Sequence, residues 1–456
     1  MSTPHILAIP FAAQGHVIPL MELALHLAKH GIKTTFVNTE FNHPRVVKAL
    51  SDTQELNMVE LVSIPDGLEP WEDRNDLKKL CVSIESAIPL HLEPLIKKIN
   101  ESGGDKISCV IADENMGFVL KVAEQMGLRR VAFWSAASIS LALQFSIPKL
   151  VEDGVISNDG TLLKSQMIQL SPNMPSMDTS KFLWACIGDK ATQKVIFHVF
   201  DRSNEELKYA EWLICNSAYE LENAAFEYMP NAVPIGPLLA CNRLGKPAGS
   251  FWPEDPDCLA WLDQQEPKSV IYVAFGSFTV FDEVQFQELA LGLELTNRPF
   301  LWVVRPDITD NTDNTYPDGF RERIQSRGRL VGWARQQQVL QHPSIACFLS
   351  HCGWNSTLEG ISNGVPFLTW PYFGDQFFNQ TYICDEWKVG LDFKKDESGI
   401  IRRDEIKNKV DQLLSDQSFK ARALNMQEKA IGSVTHGGSS TNNLSNFIKW
   451  IKEKST

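Results

Sequence analysis

Short apolar runs alternate with amphipathic stretches along most of the chain. Residues 5–11 form such a run and read as a strand, and residues 12–16 read as a loop. Over 18–30 the spacing puts Leu20, Met21, Ala24, Leu27 and Ala28 on one helical face, with Gly31 as the stop. Residues 32–37 are the next strand, which completes a βαβ unit. A second unit follows as strand 107–112, helix 115–126 and strand 130–134. The pattern restarts near Lys268: strand 270–275 ending in Gly276-Ser277, helix 282–295, strands 300–304 and 330–333, then strand 345–350, helix 355–362 and strand 366–370. Strands alternating with helices predict an α/β fold with doubly wound parallel sheets.

The seam between the two runs of units, residues 237–256, is rich in Pro, Gly and polar residues and has no periodicity, so it reads as a linker. The expected organisation is a first domain over 1–237, a linker over 238–258, a second domain over 259–432 and a helical tail over 433–456. At 456 residues the chain exceeds what one ordinary core holds, which agrees with two domains.

Charge and cysteine usage narrow the function classes. A formal charge of −13 argues against nucleic acid or anionic membranes as broad partners. The nine cysteines are scattered with no CxxC pair, which fits free thiols in a reducing compartment. No stretch reaches the roughly 18 apolar residues of a membrane span, and the opening MSTPHILAIPF has no basic segment ahead of a long apolar run. A cytoplasmic location is the expectation.

The candidate chemistry concentrates in residues 333–376, WARQQQVLQHPSIACFLSHCGWNSTLEGISNGVPFLTWPYFGDQ. A strand ending at Ser350 turns through His351-Cys352-Gly353 into a helix that starts near Asn355-Ser356. The free N–H groups and positive dipole end of a helix start suit a diphosphate. Read alone, Asn355 and Ser356 are more simply helix caps. Trp333 alone reads as a core tryptophan, Glu359 as an exposed helix glutamate, and Asp375-Gln376 as a capping pair. The spacing of His351 with Cys347 and Cys352 matches no zinc pattern, so no metal site is expected. In the first half, His16 follows the first strand and Asp113 ends a later one. Ligands of open α/β sheets gather outside the carboxyl ends of strands, where an aspartate can fix the tautomer of a histidine base. Alone, His16 is also readable as a loop or capping histidine. After the first strand the chain reads Ala12-Ala13-Gln14-Gly15-His16, with no GxGxxG, which argues against a nicotinamide-dependent oxidoreductase.

Residues 333–376 resemble, almost residue for residue, the signature box of plant secondary-product glycosyltransferases, the family-1 UDP-dependent glycosyltransferases. Gln14-Gly15-His16 and Ala112-Asp113 are similar to that family's catalytic dyad, and the resemblance covers essentially the whole chain. It implies the GT-B fold, two Rossmann-like domains facing across a cleft, with the tail packing back on the first. It implies a UDP-sugar donor: Trp333 stacking on uracil, Ala334 and Gln336 beside the base and ribose, Glu359 on the ribose hydroxyls, and Ser277, His351, Gly353, Asn355 and Ser356 around the diphosphate. Trp354, Asp375 and Gln376 would hold the hexose, with Ser135 near it; glutamine at the end of the box accompanies glucose donors. The implied reaction is inverting transfer of glucose to a hydroxyl of a small lipophilic acceptor (phenolic, flavonoid or terpenoid), with His16 as base, Asp113 behind it, and neither metal nor cofactor beyond the donor. N- or C-glucosylation and another UDP-sugar are the alternatives. Acceptor contacts are expected from Met116, Phe118, residues 65–68 and the segment 182–200 that opens with Phe182. The family implies a monomer. One departure is Arg335, where the family usually has proline, so the loop after Trp333 loses a rigid φ.

Overall fold

The computed structural model describes residues 3–50, 57–239, 251–309 and 316–453. Residues 240–250 of the expected linker therefore lie outside the described residues. Strands β1 (His5–Ile9), β2 (Lys33–Thr39), β3 (Val59–Ile64), β4 (Ile107–Asp113), β5 (Arg129–Trp134), β6 (Trp212–Cys215) and β7 (Ala232–Pro234) make a seven-stranded sheet in the order β3-β2-β1-β4-β5-β6-β7. Strands β8 (Val270–Ala274), β9 (Phe300–Val303), β10 (Gly328–Val331), β11 (Ile345–Ser350), β12 (Phe367–Thr369) and β13 (Gly390–Asp392) make a six-stranded sheet in the order β10-β9-β8-β11-β12-β13. All neighbours in both sheets are parallel. Helices cover both faces of such a sheet, which is why β1 and β8 are buried along their whole length and, after His5, mostly apolar.

Each sheet reverses its strand order once, between β1 and β4 and between β8 and β11. Loops leaving those strand pairs diverge and open a crevice. The two pairs share an irregularity: the register shifts by one residue after His5 in the first and after Val270 in the second.

The helices that matter below are α1 (Gln14–Lys29), α2 (Leu77–Glu101), α3 (Gly117–Gln125), α4 (Ser138–Phe145), α5 (Lys190–Glu206), α6 (Glu283–Leu295), α7 (Trp354–Ser362), α8 (Arg403–Ser415), α9 (Gln417–Val434) and α10 (Ser439–Lys452). Two boundaries differ from expectation. Helix α1 starts at Gln14, so His16 stands on its first turn and not in a loop. The helix expected over 115–126 is broken: a 3-10 turn, Glu114–Met116, comes first, with Asp113 accepting from the Asn115 N–H at 3.1 Å.

The C-terminal helices tie the two halves together. Ser433 on α9 donates to the Gly236 carbonyl at 3.4 Å. Helix α10 packs Phe447, Ile448 and Ile451 into the cluster that holds Ile6, Phe36 and Ile214. Asn443 donates to the Pro234 carbonyl at 2.8 Å, and the Arg129 guanidinium lies 3.5 Å over the Trp450 ring. No helix among the described residues is long and apolar enough to cross a membrane. The eight cysteines within the described residues are all free.

Candidate active site

A cavity of about 330 Å³ lies between the carboxyl edges of the two sheets. Ser277, Trp333, Ala334, Gln336, His351, Gly353, Trp354, Asn355, Ser356, Glu359, Asp375 and Gln376 line it from the second half, and His16 and Ser135 face them from the first. Asp113 stands behind His16 and is 1% exposed.

Nδ1 of His16 lies 2.7 Å from Asp113 Oδ2 and 3.0 Å from Ser135 Oγ. The second Asp113 oxygen accepts from the Asn115 N–H at 3.1 Å and its side-chain amide at 3.3 Å, which fixes the carboxylate plane. With Nδ1 donating to a carboxylate, Nε2 is the basic nitrogen. Burial alone would lower the His16 pKa, but the charge of Asp113, its hydrogen bond and then the charge of Asp375 hold it above 6.5. Ser135, expected near the sugar, thus also shares the contact that orients the histidine.

Pro19 explains how α1 meets the second half. It has no N–H to bond the carbonyl of Gly15, four residues back. That carbonyl accepts instead from the Asn355 side chain at 2.8 Å, across the cleft. Asn355 and Ser356 are therefore not caps: Gly353 holds the N-cap position of α7, with no side-chain cap, and Ser356 Oγ accepts from Gln336 at 2.7 Å. The N–H groups of the first turn remain available to an anion.

The His351 ring is clamped between two loops. A Cβ on either Gly276 or Gly353 would come within 2.5 Å of its Nε2. Burial lowers its pKa to about 4, with the Ala274 backbone opposing and the Arg305 charge assisting, so the ring is neutral near pH 7. Arg305 escaped the sequence reading. It is 2% exposed and donates to the carbonyls of Gly276 and Thr279, the latter at 2.8 Å, and to Asp307 at 2.9 Å. It therefore sets the loop that carries Ser277. Its only sequence signal was a cation just past β9 on the carboxyl edge of the sheet.

Glu359 lies 7% exposed on α7 and accepts from Gln336 at 2.6 Å and Gln337 at 3.1 Å. Burial raises its pKa to about 7, against those two hydrogen bonds. Asp375 is raised to about 6 by burial, against a 2.9 Å bond from Asn379 and the nearby His16. The Gln376 carbonyl oxygen accepts the N–H groups of Tyr372 at 2.7 Å and Phe373 at 3.2 Å, so its amide nitrogen is the group left to donate. The Trp354 indole N–H reaches the Asn216 carbonyl at 2.8 Å, fixing that ring across the cleft. Trp333 stacks on Trp252 at 6.3 Å. Arg335 has φ −71°, inside the range to which proline is locked, and its guanidinium pairs with Glu254 at 3.2 Å. An ion pair thus stands where a ring would have fixed the turn.

Met116, Phe118 and Phe182 do not line the cavity. The 3-10 turn after Asp113 carries Met116 into the core, where it is 1% exposed, and brings Asn115 to the cavity instead. Phe118 packs beneath the Arg202 guanidinium, and Phe182 lies 5.2 Å from Trp184. Residues 65–68 are also absent from the wall, whereas Leu183, Ile187, Ile196, Val199 and Phe200 of the 182–200 segment are present, with Phe11, Leu77 and Cys81. Among the described residues, no three His, Cys, Asp or Glu side chains converge on a point that would hold a metal.

Comparison with known proteins bears on this arrangement. The family model for UDP-glucoronosyl and UDP-glucosyl transferases matches residues 13–432. The chain is 47% identical to UDP-glycosyltransferase 83A1 of Arabidopsis thaliana over 465 residues, covering 100% of this chain and 98% of that one. It is 34% identical to 7-deoxyloganetin glucosyltransferase of Catharanthus roseus, covering 99% and 97%. Among solved structures it superposes with TM-score 0.81 and 27% identity on Phytolacca americana UGT2 complexed with UDP-2fluoro-glucose and pterostilbene, covering 99% of each chain. With two Rossmann-like halves, a cleft between them and this match along its length, the chain belongs to the UDP-glucoronosyl and UDP-glucosyl transferase family and is a UDP-glycosyltransferase of GT-B fold.

Proposed function

We propose that the protein transfers glucose from UDP-glucose to a hydroxyl of a small, lipophilic acceptor with inversion, giving a β-glucoside. The observation that carries this reading is the His16 imidazole, oriented by Asp113 at 2.7 Å and lining the same cavity as Asp375 and Gln376. The acceptor hydroxyl attacks the anomeric carbon while its proton passes to His16 Nε2. The bond from that carbon to the β-phosphate oxygen breaks, and UDP departs. Asp113 stabilises the imidazolium that forms. The charge growing on the diphosphate is met by the uncapped start of α7 and by Ser277, with neutral His351 as a hydrogen-bond partner. Uracil stacks on Trp333, and Glu359 takes the ribose hydroxyls. The Gln376 amide and the Asp375 carboxylate grip the sugar hydroxyls, beside Trp354. No metal or further cofactor takes part. Glucose as the sugar is supported by Gln376 and by the glucosyltransferase name of the Catharanthus roseus relative. An apolar acceptor is supported by the aliphatic and aromatic wall of the first half. The same reading places the enzyme in the cytoplasm as a monomer.

The test is a screen of the purified protein, with EDTA present, against UDP-glucose, UDP-galactose and UDP-glucuronate, each with flavonoids, simple phenols and terpenoid alcohols. A hexose adduct from UDP-glucose, β-linked by NMR, is the expected result. Adducts only on restoring a divalent cation, or only from another donor, would refute the corresponding part. The expectation for His16→Ala is that turnover is lost and UDP binding kept.

A further inference from the structure

Away from His16, Asn115 and Ser135, the acceptor side of the cavity is largely apolar. Leu77, Cys81, Leu183, Ile187, Ile196 and Phe200 form its wall. Ser140 touches it as well; it is fully buried, and its hydroxyl has no hydrogen-bond partner in the protein. Its position is fixed, because the buried Glu222 carboxylate accepts the Ser138 N–H at 2.9 Å and the Ile139 N–H at 3.1 Å and so anchors the start of α4. One turn further on, the Gln144 amide donates to Glu114 at 2.5 Å, while its carbonyl oxygen and the second Glu114 oxygen are both buried without partners. On α5, Val199 lines the cavity, and Ser203, one turn beyond, is buried with an unpartnered hydroxyl. Buried polar atoms in folded proteins are almost always paired. Several on α4, α5 and the turn after Asp113 are not, and Ser140, the one among them that lines the cavity, marks a place built to receive a polar group.

We propose that Ser140, backed by Gln144 and Glu114, forms a polar subsite for a second oxygen of the acceptor, distinct from the hydroxyl presented to His16. The acceptor is then a neutral, largely apolar molecule with two oxygen functions, the remote one a hydroxyl or a carbonyl. This rests on the glucosyl-transfer reading and sharpens its substrate class. A carboxylate is the wrong remote group, because Asp113 and Glu206 both act on Glu114, and the nearby Arg202 is already paired with Glu85 and Glu206. Burial raises the Glu114 pKa to about 8, so at neutral pH this acid, behind the wall, holds its proton.

The test uses UDP-glucose with a homologous series of para-alkylphenols, each matched to the analogue carrying a ketone along its chain. At the best chain length the ketone is expected to raise kcat/KM about tenfold over its match, the effect of one added hydrogen bond. Ser140→Ala is expected to bring that ratio to within about twofold; because each ratio is taken within one enzyme preparation, the folded fraction cancels. A ketone preference that survives Ser140→Ala, or no preference at any chain length while the phenols are still glucosylated, overturns the subsite alone. Absence of transfer to every phenol overturns the transfer reading and the subsite with it.

Discussion

Replacing Asp113 by asparagine is expected to damage the enzyme more than replacing it by alanine, and the hydrogen bonds around the residue say why. One Asp113 oxygen accepts the Asn115 backbone N–H and the other accepts from His16 Nδ1. An asparagine must keep its carbonyl oxygen toward the Asn115 donor, or leave that buried N–H unpaired at about 1–3 kcal/mol. Its NH2 group then faces Nδ1, which becomes an acceptor, and the proton moves to Nε2, the nitrogen that must take the acceptor's proton. Alanine imposes no tautomer, and Ser135 at 3.0 Å still offers Nδ1 an acceptor. What alanine loses is a charge-assisted hydrogen bond to the imidazolium, about 1.5–3 kcal/mol, or roughly 10- to 150-fold in rate. Asparagine adds the tautomer term, so its kcat should fall by on the order of 10³-fold or more. Initial rates of glucoside formation read this, and calorimetry with UDP controls for the donor site, where affinity should change by less than about threefold, since one tenfold step is already 1.4 kcal/mol. Acceptors already ionised at the assay pH need no base and should recover most of the loss in both variants. Equal or higher activity in Asp113→Asn than in Asp113→Ala would refute the tautomer argument.

Three further outcomes follow from the site. The rate at limiting acceptor should rise with pH through the His16 pKa, above 6.5, because the protonated ring cannot act as base; in Asp113→Ala, where burial is no longer opposed by that carboxylate, the acidic limb should move to lower pH. The Glu359 carboxyl, raised from 4.5 to about 7, binds its proton more tightly in the folded chain than in the unfolded one. Unliganded protein should thus lose up to ~3 kcal/mol of stability as pH climbs across that window, and Glu359→Gln should flatten this part of a Tm-against-pH plot; an unchanged slope would remove Glu359 as its source. Arg305→Met should release the loop at Gly276–Thr279 and lower kcat/KM for UDP-glucose by about 10- to 100-fold, two to three hydrogen bonds' worth, with little change in far-ultraviolet circular dichroism.

Much of this was readable in the chain because the signals were local. Doubly wound sheets show as apolar runs spaced by amphipathic helices, and β11 with α7 announces itself as strand, glycine and polar helix start. The side chains of residues 333–376 singled out from the sequence do line one cavity. What failed was anything decided by the direction of a side chain after an irregular turn. Met116 and Phe118 follow Asp113 closely enough to be placed beside it, yet the 3-10 turn rotates them into the core and offers Asn115 instead. Phe182 opens the right segment but faces Trp184. Apolar residues carry no mark that separates a core position from a pocket wall. Arg305 lies too far along the chain from Gly276 for its bond to show, and Arg335 looks like a loss until Glu254 is seen beside it.

The chain passes between its two halves twice: once through the segment that leads from β7 to β8, and once where α9 gives way to α10 and returns to lie on the first sheet. A body attached at one point swivels; attached at two, it turns like a door about the line joining its hinges. A rotation of one half about that line would break the Asn355–Gly15 and Trp354–Asn216 bonds together. Ending the chain at Thr435 would remove one hinge, and small-angle scattering should then record a broader range of separations between the halves.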